Sequence, residues 1–147
     1  MCNNISTPQS VFSDDVRQHL SIIQGVITRM NSNSFSMKGW MVAIVSALLA
    51  VYAASTEASC SYLYFIAALV ADIIFCLLDA YYLKMEMQYR DLYDEVRRNP
   101  INTDFNMDAS RFSKSLCEAL KSKSVWILYL AVFILLLAGL VLILAIK

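Results

Sequence analysis

The sequence predicts an all-α membrane protein with three transmembrane helices and a cytoplasmic helical bundle. Of its 147 residues, 59% are hydrophobic and only five are glycine or proline, which favours helices in one small unit. The apolar residues are gathered into three windows and are not spread along the chain. A 3-4 spacing of apolar residues outside these windows is typical of helices that pack on one another.

The first predicted element is a cytoplasmic amphipathic helix within residues 1–37. Thr7-Pro8 and Ser13-Asp14-Asp15 are alternative helix starts, because each supplies a capping side chain. Asn31-Ser32-Asn33-Ser34 should kink or break the helix before the first span, since these side chains compete for backbone hydrogen bonds. The apolar positions of the helix form a heptad seam that needs a partner: Val16, Leu20, Ile23 and Ile27.

The three spans are assigned to residues 38–55, 61–83 and 124–147. The strongest signal is the unbroken apolar run of 22 residues from Val125 to Ile146. As a helix it would be about 33 Å long, which matches a hydrocarbon core of about 30 Å. The second window contains two acids, but tyrosine pairs flank it as they do at membrane interfaces.

Residues 84–123 are predicted to be a cytoplasmic helical extension of the second span, a loop and a short helix. The seam continues through Tyr89, Leu92 and Val96, so one helix should run from about Ser61 to Arg98. Asn99-Pro100 ends it, because a residue before proline is biased away from helix. Asp108 or Asn106 should cap a short amphipathic helix that ends at Leu120.

The distribution of Lys and Arg predicts the orientation. Three precede the first span, none lies between the first two, eight lie between the second and third, and one follows the third. The positive-inside rule therefore predicts a cytoplasmic amino terminus and long loop, with the carboxyl terminus outside.

Three carboxylates follow one another at seven-residue intervals along the second helix: Asp72, Asp79 and Glu86. This spacing puts them on one side of the helix, together with Cys76. In an oligomer they would become acidic rings that line a cation pathway. Alternatively, Asp72 is protonated or bonded to Ser46 or a tyrosine inside the bundle, and the other two acids are interfacial.

The arginines that follow have two interpretations. They are predicted to bind phosphates and stacked bases when subunits converge, in a ligand site of Arg90, Tyr93, Arg97, Arg98, Arg29 and Lys38. Alternatively, Glu86–Arg90 and Asp94–Arg98 are ordinary i,i+4 pairs on a solvated helix.

The sequence does not favour an enzyme. Its single histidine, His19, has no Cys or acidic partner at metal-ligand spacing, and neither a phosphate-binding glycine loop nor a nucleophile motif is present. We expect no catalytic residue, metal site or cofactor.

Parts of the chain resemble a family of small bacterial membrane proteins over about residues 20–98. The shared features are an Arg-Met, an Asn-Ser and a Lys-Gly-Trp before the first span, and a Leu-Leu-Asp-aromatic-aromatic motif closing the second. Here they are Arg29-Met30, Asn33-Ser34, Lys38-Gly39-Trp40 and Leu77-Leu78-Asp79-Ala80-Tyr81-Tyr82. The pattern is similar to SLATT-type membrane effectors of nucleotide-signalling anti-phage defence, the Hailong type in particular.

The resemblance implies a homo-oligomeric pore, for which we favour a tetramer, in the bacterial inner membrane. It implies control by a nucleotide or oligonucleotide from a partner nucleotidyltransferase, and depolarisation and growth arrest when the pore opens. Two other hypotheses remain: a membrane-anchored adaptor that recruits a cytoplasmic partner, and a small proton-coupled transporter that uses Asp72.

Overall fold

The computed structural model describes residues 13–55 and 61–146, which form helices and connecting turns without a β-strand. The helices are α1 (Asp14–Ala54), α2 (Ser61–Arg98), α3 (Leu116–Leu120) and α4 (Lys123–Ile146), with a 3-10 turn at Pro100–Asn102. Of these, α1, α2 and α4 are long and apolar enough to cross a membrane. The chain therefore has the helices of a multi-pass membrane protein.

Helix α1 begins at the second of the two predicted starts. The Ser13 hydroxyl accepts a hydrogen bond from the Val16 amide, and Asp14 and Asp15 add negative charge to the first turn, where it interacts favourably with the helix dipole. The alternative start at Thr7-Pro8 lies outside the described residues. From Asp14 the helix continues without a break to Ala54, a length of about 60 Å.

The predicted break at residues 31–34 is wrong. Ser34 turns its hydroxyl towards α2, and the Ser36 hydroxyl donates to the Ser32 carbonyl one turn earlier. These side chains therefore find partners that leave the helical backbone intact. The predicted N-terminal helix and the first span are therefore one continuous helix.

Helices α1 and α2 pack side by side in opposite directions and bury two apolar clusters. One cluster lies between the amino-terminal part of α1 and the carboxyl-terminal part of α2, which together are called here the polar half of the hairpin. It contains the predicted heptad seam and a residue of the following loop: Val16, Ile23, Ile27, Leu92, Val96 and Ala109, with Leu20 and Tyr89 at its edge. The other cluster lies between the carboxyl-terminal part of α1 and the amino-terminal part of α2, called here the apolar half of the hairpin. It also contains residues of α4: Met41, Val45, Phe65, Ala68, Val125, Tyr129 and Leu136. Helix α2, which packs against both α1 and α4, is the central element.

The loop after α2 folds back along the polar half of the hairpin. Gln88 on α2 donates to the Phe112 carbonyl at 2.8 Å, Lys114 pairs with Asp91 at 2.9 Å, and Arg111 pairs with Glu95 at 2.8 Å. These bonds hold the connection between α2 and α3 against the helices.

Neither predicted cap of the following helix is used as one. The Asn106 side chain accepts from the Asp108 amide, and the Asp108 side chain accepts from the Ser110 amide, each at 2.9 Å. Both are Asx turns, which satisfy the amide two residues on and shape a loop instead of starting a helix. The helix begins later, where Ser115 caps Leu116–Leu120.

The outer faces of α2 and α4 are apolar. Many large side chains there are about half exposed, including Val70, Ile74, Leu77, Ile134, Leu135, Val141 and Leu142. Apolar surface on this scale is unfavourable in water and is the normal outer surface of a helix in lipid.

The first prediction concerns the contact between α2 and α4. A Cβ added to Gly139 would overlap the Phe65 ring, whose Cζ would lie only 3.2 Å away. We expect Gly139→Ala to lower the free energy of unfolding by about 1–3 kcal/mol through overpacking. Titration with SDS in mixed micelles, followed by circular dichroism, measures the change.

Gly25→Ala is the matched control, because an added Cβ there has nothing within 4 Å. It should leave the stability unchanged or raise it by up to about 1 kcal/mol, since alanine is the better helix former. Equal stability of the two variants would contradict the packing argument.

The second prediction concerns pH and the Asx turn at Asp108. Hydrogen bonds from the Ser110 hydroxyl and amide hold the pKa of Asp108 below its ordinary value. A lowered folded-state pKa stabilises the loop above the ordinary pKa, and this contribution is lost as the pH falls through the lowered value. Hydrogen exchange at the Ser110 amide, corrected for intrinsic rates, should therefore accelerate on acidification. In Asp108→Ala this acid-dependent step should vanish, and its persistence would assign it to another group.

Candidate functional site

The three in-line carboxylates of α2 all point into the protein. Asp72, Asp79 and Glu86 are 2%, 0% and 5% exposed, respectively. Asp79 meets α1, Asp72 lies beside α4, and Glu86 pairs along its own helix. The predicted alignment on one side of α2 is correct, and that side faces the interior of a single chain.

The centre of the site is a cluster of Ser34, Lys38 and Asp79, called here the Lys38–Asp79 cluster. Ser34 and Lys38 are one turn apart on α1, so both side chains reach the same point on α2. The Lys38 ammonium lies 2.5 Å from Asp79 Oδ2 and donates to Ser34 Oγ at 3.1 Å. Ser34 Oγ in turn donates to Asp79 Oδ1. The three groups therefore close a ring made of one ion pair and two charge-assisted hydrogen bonds.

This cluster lies where the polar and apolar halves of the hairpin meet. The Asp79 side chain is fully buried and that of Lys38 is 17% exposed, so little solvent screens the pair. Removing either partner of a buried ion pair leaves an uncompensated charge, which is strongly unfavourable. The cluster therefore fixes the register of α1 against α2.

The sequence did not identify Ser34 as a site residue. It predicted that Lys38 binds a ligand, whereas Lys38 pairs with Asp79. The sequence contained a usable signal for both. Lys38 immediately precedes the first apolar window and Asp79 lies near the end of the second. In an antiparallel pair of spans these positions are at one level, where opposite charges form a pair.

Asp72 and Tyr129 form a second polar site, deeper in the apolar half. Asp72 Oδ1 is buried and has no hydrogen-bond partner within the part of the chain that the structure describes. The buried Tyr129 hydroxyl interacts more strongly with Asp79 than with Asp72. The bond between Asp72 and Ser46, one of the alternatives considered, does not form, because Ser46 is on the exposed side of α1. Sequence interpretation also missed Tyr129, although a hydroxyl within an otherwise apolar run was a signal.

A groove of about 250 Å³ opens beside these two groups, between α2 and α4. We call it the Asp72 groove. It is lined by Asp72, Cys76, Leu77, Trp126, Tyr129 and Phe133, among other residues. The predicted pore-lining residue Cys76 therefore lies beside Asp72, in a groove formed within one chain.

Two of the three arginines of α2, Arg90 and Arg97, are paired on their own helix. Arg90 binds Glu86 through Nε at 2.8 Å and through Nη2 at 2.5 Å. This is the ordinary i,i+4 pair given as the alternative. The other expected pair, Asp94 with Arg98, is replaced by Asp94 with Arg97 at 3.5 Å.

The predicted ligand residues are only partly brought together. Arg90 and Tyr93 line a pocket of about 290 Å³ in the polar half of the hairpin, with Gln24, Ile27 and Asp94. Lys38 is committed to Asp79, whereas Arg29 and Arg98 are exposed. Of the predicted ligand residues, Arg90 and Tyr93 therefore line this pocket, and Asp94 beside them would repel an anion.

The predicted oligomer seam is occupied within one chain. Val16, Ile23 and Ile27 of α1 pack against Leu92 and Val96 of α2, with Leu20 and Tyr89 alongside. Because these side chains already cover one another, a contact between subunits would use other faces. The heptad spacing therefore identified a helix pair correctly, but the pair is intramolecular.

His19 is buried at the far end of the polar half, where its ring meets the edge of Phe105 at a centroid distance of 5.4 Å. Across residues 13–55 and 61–146, no group of three His, Cys, Asp or Glu side chains is placed to hold a metal ion.

No protein-family model, curated protein or solved structure matches this chain.

The third prediction tests the Lys38–Asp79 cluster with a double-mutant cycle. Lys38→Met and Asp79→Leu should each lower the free energy of unfolding by about 3–5 kcal/mol, because each strands one buried charge. The double variant should lose much less than the sum, because neither charge remains. SDS titration in mixed micelles measures all four proteins.

Arg97→Gln is the control for an exposed pair, whose side chains are 59% and 44% exposed. Its effect should stay below about 1 kcal/mol. Additive losses for Lys38→Met and Asp79→Leu would show that the two charges do not interact.

Proposed function

We propose that this chain is a homo-oligomeric, pore-forming membrane effector of bacterial anti-phage defence. In this proposal a nucleotide or oligonucleotide, made by a partner nucleotidyltransferase, controls an ion channel in the inner membrane. The open channel depolarises the cell and arrests its growth. A tetramer with a cytoplasmic amino terminus and an external carboxyl terminus is the favoured arrangement.

The observation that carries the proposal is a row of buried carboxylates on a helix that continues unbroken out of the apolar region. Carboxylates are unfavourable in a bilayer, where they occur mainly at bundle interiors and on ion or proton pathways. Helices α1 and α2 join this row to the polar half without a hinge. Movement of the polar half would therefore be transmitted directly to the acids.

The Lys38–Asp79 cluster supports a closed resting state. Lys38 neutralises Asp79, and Ser34 holds the other carboxylate oxygen, so neither acid oxygen is available to a passing cation. Opening would require α1 and α2 to separate or slide at this level. Asp72, Asp79 and Glu86 would then face a water-filled path, in which acidic rings favour cations.

The pocket beside Arg90 and Tyr93 is the proposed signal site. Both helices contribute to it, α1 through Gln24 and Ile27, and α2 through Arg90 and Tyr93. A ligand with phosphate and base groups would meet a guanidinium and an aromatic ring there, and Arg97 and Arg98 are on the same helix. A ligand that contacts both α1 and α2 would change how readily the two helices separate.

A second function, the membrane-anchored adaptor, is favoured by one observation. Asp72, Asp79 and Glu86 are all buried inside one chain, so none is on an outer surface that could line a path between subunits. In that case the ion pair serves only to hold the hairpin together, and the loop and helices of the polar half recruit a partner.

The fourth prediction separates these two functions. Liposomes containing the purified chain are assayed for cation flux, with and without short oligonucleotides, and membrane potential is followed in cells expressing it. A pore should conduct in one ligand state, and Asp72→Asn should lower that flux severalfold. Lys38→Gln should raise flux in the closed state, because Asp79 loses its partner.

Asp91→Asn is the control, since it removes a carboxylate of the same helix that pairs with Lys114 outside the apolar half. Its flux should equal that of the unaltered chain. Absence of conductance with every oligonucleotide, together with activity that survives replacement of the spans by unrelated anchors, would overturn the pore and support the adaptor.

A further inference from the structure

The Asp72 groove combines an uncompensated carboxylate with aromatic walls. Asp72 is 2% exposed and its Oδ1 has no hydrogen-bond partner among the described residues. Trp126, Tyr129 and Phe133 line the same groove from α4.

The cation nearest along the hairpin is not available to Asp72. Lys38 is held between Asp79 and Ser34, and Asp79 is seven residues from Asp72, about 10 Å along the helix axis. Lys38 is thus paired with Asp79 and Ser34 and does not form an ion pair with Asp72. An acid in such a place is stabilised by taking up a proton, or by a cation or a hydrogen-bond donor that enters from outside the chain.

The walls of the groove favour a cation over a neutral donor. The faces of Trp, Tyr and Phe rings attract ammonium groups, and this attraction is stronger where water is excluded. The remaining lining is Cys76 and three aliphatic residues, Ile73, Leu77 and Leu130, which suit an apolar body. Trp126 and Leu130 are 44% and 45% exposed, so the groove opens onto the apolar outer surface.

We propose that the Asp72 groove is a binding site for lipophilic ammonium compounds, meaning a protonated amine carried on a compact apolar body. The ammonium pairs with Asp72 and lies against the aromatic rings, and the apolar body fills the outer part of the groove. Such compounds dissolve in the bilayer, from which the groove is reached. The site does not depend on whether the chain forms a pore.

The test uses three probes that share one apolar cage and differ only in the polar group: adamantylamine, adamantanol and adamantanecarboxylate. Binding of tritiated adamantylamine to proteoliposomes of the full chain is measured against protein-free liposomes of the same lipids. We expect saturable binding that unlabelled amine displaces and that the alcohol and carboxylate displace poorly. This comparison needs no variant, so it remains valid if a substitution impairs folding.

Variants then locate the site. Asp72→Asn should weaken amine binding by about tenfold or more, as expected for the loss of a charge-assisted contact, whereas Asp72→Glu should retain it. Trp126→Leu should weaken binding by about two- to fivefold through loss of one aromatic face. In a Trp40→Phe background Trp126 is the only tryptophan, and its emission should change as the amine saturates.

Other results would overturn the proposal. Equal displacement by the alcohol would make the groove a site for neutral hydrogen-bond donors, and equal displacement by all three probes would mean simple partitioning into lipid. Unchanged affinity in Asp72→Asn, or Trp126 emission that does not respond to saturating amine, would place binding elsewhere. A groove covered by a second copy of the chain would give no saturable binding.

Discussion

The arrangement of this protein depends on one buried charge. Asp79 is fully buried at the boundary between the polar and apolar halves of α2, and in such a place an unpaired carboxylate would oppose folding. Lys38 and Ser34 remove that obstacle from the adjacent helix. Because all three side chains must meet, the cluster sets the register of α1 against α2. The other contacts between the two helices depend on that register.

Helix α2 is the element around which the rest is organised. In the polar half its apolar seam packs on α1, and the loop after it is tied back by ion pairs of Asp91 and Glu95. In the apolar half α2 packs against α4, and the Phe65 ring lies against Gly139. One helix thus carries the acids, the arginines and most of the core contacts.

The polar groups inside the apolar half differ in how well they are satisfied. Asp79 has an ion-pair partner in Lys38 and a hydrogen-bond partner in Ser34, whereas Asp72 Oδ1 has no hydrogen-bond partner among the residues described. A satisfied group contributes to structure, whereas an unsatisfied one at this depth is a place where another molecule or another conformation would be favourable. The proposed channel and the proposed amine site both draw on this difference, the first through movement of α1 and the second through the groove beside α4.

The sequence by itself determined the all-helical class, three apolar helices, the unbroken helix from Ser61 to Arg98 and the alignment of the three carboxylates, because composition and spacing encode these directly. Only the tertiary structure decided what those residues face. It turned Asp72, Asp79 and Glu86 inward, closed the seam of Val16, Ile23 and Ile27 on Leu92 within one chain, and carried α1 through Asn31–Ser34. The physical reason is that periodicity defines a face of a helix but not the partner that covers it. A serine hydroxyl disfavours a helix when it bonds to the nearby backbone. Here the Ser34 hydroxyl donates instead to Asp79, 45 residues away in sequence.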